Sequence, residues 1–140
     1  MLPIRGVVAL CNRTETEILP AVDSGDLKWV FNVALDPSRA RRRELRFLAE
    51  SVADFAEGKE SSLEWEDVYD LLIPHGEPTI TAPEIAHSLN VHCDVPLMLG
   101  QSGALRICRP GKRGATGKGQ YASTLFSRES FERFLKERLV

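Results

Sequence analysis

Ser24-Gly25-Asp26-Leu27-Lys28-Trp29 and Ser102-Gly103-Ala104-Leu105-Arg106-Ile107 share one register: serine, glycine, a variable residue, leucine, a base. Sliding the first stretch onto the second without a gap also pairs Val7 with Ile85, Asn12 with Asn90 and Leu19 with Leu97. Downstream, each copy leads to a helix with a similar opening, Arg43-Glu44-Leu45 in one and Arg128-Glu129-Ser130 in the other. The pattern predicts a duplicated helix–helix–strand–helix unit. In each copy the glycine marks the left-handed stop of a second helix, and the leucine starts a strand.

Working outward, residues 4–12 read as a short apolar helix. Thr14-Glu15-Thr16-Glu17 is a capping box that opens a helix to about Asp23, with Pro20 expected to shorten or kink it. Leu27 to Val33 reads as a strand that buries Trp29 and Phe31, and Asp36-Pro37 as a turn. Residues 38–57 read as one long helix, because Leu45, Leu48, Val52 and Phe55 recur at helical spacing. No returning strand is evident in this half. A helix is expected from Trp65 to Ile73, broken by Pro74-His75-Gly76-Glu77-Pro78. Thr81-Ala82-Pro83-Glu84 is a second capping box, with proline in the first turn. Its helix runs to Leu89, Asn90-Val91 turns, and a second helix runs from Asp94, read as its cap, to Ser102. Then come a strand from Leu105 to Arg109, a loop from Pro110 to Gln120 and a strand from Tyr121 to Phe126. Ser127 caps a last helix with Phe131, Phe134, Leu135 and Leu139 on one stripe. The expected fold is mainly α with small β-hairpins: a unit over 1–58, a linker with a short helix over 59–78, and a unit over 79–140.

With 140 residues, 43% hydrophobic and 27% charged, the chain suits one compact domain or two small ones. No apolar run reaches the roughly 18 residues that span a bilayer, and no basic-then-apolar leader opens the chain. Cys11, Cys93 and Cys108 are odd in number and widely spaced, which fits a reducing compartment, so a cytoplasmic location is expected. The net charge of −2 hides an asymmetry. Residues 1–75 carry nine bases and fourteen acids, net −5; residues 76–140 carry nine bases and six acids, net +3. No acid lies between Asp94 and Glu129, whereas Arg106, Arg109, Lys112, Arg113, Lys118 and Arg128 all do. Such a local basic run suits a polyanion. Arg39, Arg41, Arg42, Arg43 and Arg46 form a second cluster inside the acidic half. There they face either an anionic partner or neighbouring acids.

Residues 79–140 resemble the winged helix-turn-helix domains of MerR-like or excisionase-like proteins. Thr81-Ala82-Pro83-Glu84-Ile85-Ala86 with Leu89-Asn90-Val91 matches their first helix and turn. The stretch to Ser102-Gly103-Ala104-Leu105 matches their second helix, and Ser127-Arg128-Glu129-Ser130-Phe131 their closing helix. The departures are a longer, glycine-rich wing and Pro96 inside the second helix. In degenerate form the resemblance extends to residues 3–57, giving tandem units. It implies a double-stranded DNA-binding protein, a transcriptional regulator or a recombination and excision accessory factor. His92, Met98, Gln101 and Ser102 would face base edges; Arg106, Arg109, Lys112, Arg113, Lys118 and Arg128 would hold phosphates. Arg39, Arg41, Arg42 and Arg43 would supply a second DNA contact. The alternative is a protein-interaction or inhibitor module on the same scaffold, with residues 1–75, including Trp65 and Tyr69, as a homodimer or partner face.

Other motifs lead nowhere. Lys112 to Gly119 lacks the glycine and the Ser/Thr of a phosphate loop. His87, His92 and Cys93 match no zinc spacing, so no metal or cofactor is expected. Cys108 beside Arg109 reads as a reactive thiol or, more simply, as a buried strand residue. No nucleophile–base arrangement is evident, and an enzyme is not expected.

Overall fold

The computed structural model describes residues 1–38, 43–112 and 120–140. Among them the chain is mixed α/β, with eight helices and two three-stranded antiparallel sheets, so strand pairing contributes more than isolated hairpins would. Two compact units form: Met1–Trp65 with Arg138–Val140, and Glu66–Glu137. The segment 59–78 is thereby divided between them.

The first unit runs β1 (Leu2–Pro3), α1 (Ile4–Cys11), α2 (Glu15–Ser24), β2 (Val30–Asn32), β3 (Leu45–Phe47) and α3 (Ala49–Ala56). β3 lies between β1 and β2, with Leu2 and Val30 both opposite Phe47. Of the long helix expected over 38–57, residues 39–42 lie outside the described residues, and residues 43–57 hold a strand followed by a short helix. Leu45 and Phe47 point inward at period two and Arg46 between them is only half-buried, so the run obeys the strand period. Only Val52 and Phe55 belong to the helix. The strand expected over Leu27 to Val33 is shorter because Trp29 sits at φ 62°, outside the extended region. Its ring instead packs on Trp65 at 6.4 Å. Phe31 is fully buried, as expected.

The second unit begins with α4 (Trp65–Leu72), all but its first residue. It continues β4 (Thr79–Thr81), α5 (Ala82–Leu89), α6 (Val95–Ser102), β5 (Ile107–Arg109), α7 (Gln120–Ser123), β6 (Leu125–Ser127) and α8 (Arg128–Arg138). β6 is central, and Ile80 and Ile107 both face Phe126. The strand expected from Tyr121 to Phe126 is thus half helix: Tyr121–Ser123 coil into α7 and only Leu125–Ser127 pair. Ser127 Oγ accepts from Ser130 N–H at 3.1 Å, which caps α8 as expected. Leu139, placed on the α8 stripe by its spacing, lies past the helix and is 42% exposed.

The first unit follows the order strand, helix, helix, strand, strand, helix; the second repeats it after α4, with α7 added between its second and third strands, and in both the third strand is in the middle of the sheet. The shift that carries Ser24 onto Ser102 also carries α1 onto α5. Those helices end on Asn12 and Asn90, both at φ 53°, a conformation asparagine tolerates better than most residues. Gly25 and Gly103 end α2 and α6 at φ 82° and 86°. Leu27 N–H donates to Ala21 O at 3.0 Å and Leu105 N–H to Leu99 O at 3.2 Å, and both leucines are buried. In each unit the helix that follows the central strand contributes a buried serine to the basic residue of the register. Ser51 Oγ donates to Lys28 O at 2.6 Å, and Ser130 Oγ accepts from Arg106 N–H at 3.0 Å. Val7 and Ile85 hold the same place on the first helix of the repeat, and Phe47 and Phe126 the same place on the central strand, and all four are fully buried.

Candidate nucleic-acid interface

α5 is fastened at its start. Glu84 accepts from Thr81 N–H at 3.0 Å and Thr81 Oγ1 at 2.9 Å, while its own N–H donates to Thr81 Oγ1 at 3.3 Å. Asn90 then turns the chain toward α6. Proline lies in the first turn of α6, where its missing N–H is harmless. Asp94 precedes the helix in αR conformation and makes no side-chain cap, contrary to the sequence expectation. Its carboxylate is drawn to His92 instead, at 3.4 Å from Nδ1.

α6 buries Pro96 and Leu99 and leaves Met98 43% exposed, with Gln101 and Ser102 open beside it. The hydroxyl of Ser102 already donates to Leu99 O at 3.0 Å. Gly100 lets the helix approach the sheet: a Cβ there would stand 2.7 Å from Ile107 Cδ1 and 3.1 Å from Phe126 Cε1. α6 is therefore held on β5 and β6 by a contact that a larger residue could make only by displacing Ile107 or Phe126. This close approach left no periodic signal in the sequence.

Arg106 is exposed while its backbone is held on both sides, by Ser130 Oγ and by Ser127 N–H, which donates to Arg106 O at 2.9 Å. Cys108 and Arg109 on β5 are also exposed; the expectation of a buried Cys108 fails because β5 is an edge strand with an irregular register. Gly111 N–H donates to Thr124 Oγ1 at 3.0 Å and Lys112 N–H to Ser123 Oγ at 3.1 Å, so the foot of the long loop is pinned to the end of α7. Thr124 is buried, and sequence reasoning had not singled it out. Arg113 and Lys118 lie outside the described residues. Burial, with a smaller contribution from Cys93, pushes the Tyr121 phenol above 10.0.

No protein-family model, curated protein or solved structure matches the chain.

Arg106, Arg109 and Lys112 make no ion pair among the described residues, and the His92 ring lies 3.4 Å from the Asp94 carboxylate. Arg128 differs: it is half-buried, donates Nη1 to Gly76 O at 3.0 Å, and buries its Nε. It ties the approach to β4 rather than projecting outward. In the first unit Arg43 sits 3.5 Å from Asp23; Arg39, Arg41 and Arg42 lie outside the described residues. Arg43 borders a cleft of about 560 Å³ shared with Arg5, Arg46, Glu15, Asp23 and Glu44. α2, at the place α6 takes in the second unit, exposes Glu15, Glu17 and Asp23. Trp65 and Tyr69 are half-buried rather than open.

Proposed function

We propose that the second unit is a winged helix-turn-helix-like module that binds double-stranded DNA. The observation that carries this reading is the pairing of a short, tightly seated helix with an exposed cationic edge. α6 is locked to the sheet at Gly100 and offers Met98 and Gln101, while Arg106, Arg109 and Lys112 follow it with no ion pair among the described residues. A short helix seated on one side and open on the other suits the major groove. Gln101 then reads adenine by paired hydrogen bonds, and Met98 gives apolar contact to a thymine methyl. The three cations hold phosphates, with Arg113 and Lys118 extending the same run along the sequence. Arg128 takes a structural role in this reading, and Ser102 the helix end.

The first unit does not suit a polyanion, because α2 presents acids where α6 presents neutral and polar groups. Its charged cleft favours a protein partner, which retains part of the interaction-module reading for that unit alone. Tandem units of one topology thereby divide the work. The test is retention of random duplex fragments by the full chain at low salt, followed by sequencing of the retained fragments. Enrichment of a site that Gln101→Ala relaxes at one adenine supports the reading. No retention of any duplex refutes it.

A further inference from the structure

The turn between α5 and α6 holds three different donor atoms around one point. His92 Nδ1 is 3.7 Å from Cys93 Sγ, Cys93 Sγ is 3.9 Å from Asp94 Oδ1, and His92 Nδ1 is 3.4 Å from Asp94 Oδ2. Zinc bonds nitrogen and oxygen at about 2.0–2.1 Å and sulfur at about 2.3 Å, so tetrahedral edges between such donors are roughly 3.3–3.6 Å. The His92 Nδ1–Asp94 Oδ2 separation matches such an edge, the two sulfur separations (one of them to the other carboxylate oxygen, Oδ1) are a few tenths of an ångström longer, and one donor atom from each residue lies within 4.8 Å of the others, so a small closure brings the three onto one tetrahedral face. All three residues are exposed, so an ion has a path in and a fourth position for water. Asp94 N–H donates to His92 Nδ1 at 3.2 Å, so that nitrogen is turned into the cluster. Metal binding replaces that bond, and water takes up the freed N–H. The sequence spacing had grouped His87 with His92 and Cys93; the fold leaves His87 out and brings Asp94 in.

We propose that His92, Cys93 and Asp94 bind a divalent transition-metal ion of the zinc type, with water as the fourth ligand. Nitrogen, sulfur and oxygen donors together favour such borderline ions over magnesium or calcium. On binding, the Cys93 thiol releases its proton to solvent and forms a metal–sulfur bond. Thiolate and carboxylate then balance the two positive charges of the ion, with histidine neutral. No oxidation or reduction is involved.

The experiment is titration of the reduced full chain with cobalt(II), without DNA, so that its outcome is independent of the DNA reading. One equivalent is expected to produce a thiolate-to-cobalt charge-transfer band and the intense visible bands of four-coordinate cobalt, both bleached by zinc. Cys93→Ser removes the charge-transfer band, while Cys11→Ser and Cys108→Ser retain it. Asp94→Asn weakens binding by at least about tenfold. Absence of the band, or its survival in Cys93→Ser, overturns the proposal. The circular dichroism of each variant, compared with the parent, separates a lost ligand from a lost fold.

Discussion

Replacing Gly100 by alanine sets two effects of opposite sign against each other. Alanine in a helix interior is favoured over glycine by about 1 kcal/mol. Against this, the new Cβ would stand 2.7 Å from Ile107 Cδ1, 2.9 Å from Ile107 Cγ1 and 3.1 Å from Phe126 Cε1. A tip atom alone could swing away, but Cγ1 is the stem of Ile107, and the Phe126 ring is fully buried between Ile80 and Ile107. Overpacking of this kind costs about 1–3 kcal/mol, so the net expectation is a loss of roughly 1 kcal/mol. Urea unfolding, with hydrogen exchange of the Ile80 and Phe126 amides, reads the second unit separately from the first. Adding Ile107→Val removes the atom at 2.7 Å and should return part of the loss, with a coupling of about 0.5–1 kcal/mol. If Gly100→Ala instead raises stability by about 1 kcal/mol, as an unpacked helix glycine would, α6 is not seated on the sheet.

Other expectations follow from the paired elements. Ser51→Ala and Ser130→Ala should each destabilise by about 1–2 kcal/mol, and Ser130→Ala should speed exchange of the Arg106 amide; unchanged exchange there would contradict the bond. Gly25→Ala and Gly103→Ala should cost similar amounts, about 1–2 kcal/mol each, because both glycines are left-handed and have empty space at the Cβ position; a marked inequality in urea midpoints would contradict equivalent stops. In a Tyr69→Phe variant, the remaining phenol of Tyr121 should titrate above 10.0 by ultraviolet absorbance, since burial first and Cys93 second disfavour its anion. The unfolded chain then ionises first, so this group leaves stability unchanged below about pH 10 and lowers it as pH rises past 10.0. A midpoint at or below 10.0 would contradict the burial.

Local signals were legible and non-local ones were not. Both capping boxes, the Gly25 and Gly103 stops, the Asn90 turn and the Ser127 cap are written within a few residues of where they act, and each lies where its chemistry demands. β3 was hidden because Leu45 and Leu48 are spaced like helix neighbours. Leu45 is a strand residue whose partner, Asn32, is distant in sequence. Tyr121–Ser123 carried β-like composition, yet form α7, which packs on α5. At the candidate site, Arg106, Arg109 and Lys112 remain exposed. Arg128 is withdrawn by a carbonyl at Gly76 that no sequence pattern announces. Asp94 was assigned to the helix end when its carboxylate turns to His92, a choice decided by the geometry of one turn.

The central claim is that the cationic edge after α6 holds DNA phosphates. Its most direct measurement is the salt dependence of duplex affinity for the full chain and for the Arg106→Ala, Arg109→Ala, Lys112→Ala triple variant. With one phosphate contact per cation, the variant's log–log slope should be shallower by about 2.7. The account predicts that change together with a weaker affinity at low salt. Equal slopes and equal affinities for the two proteins would contradict it.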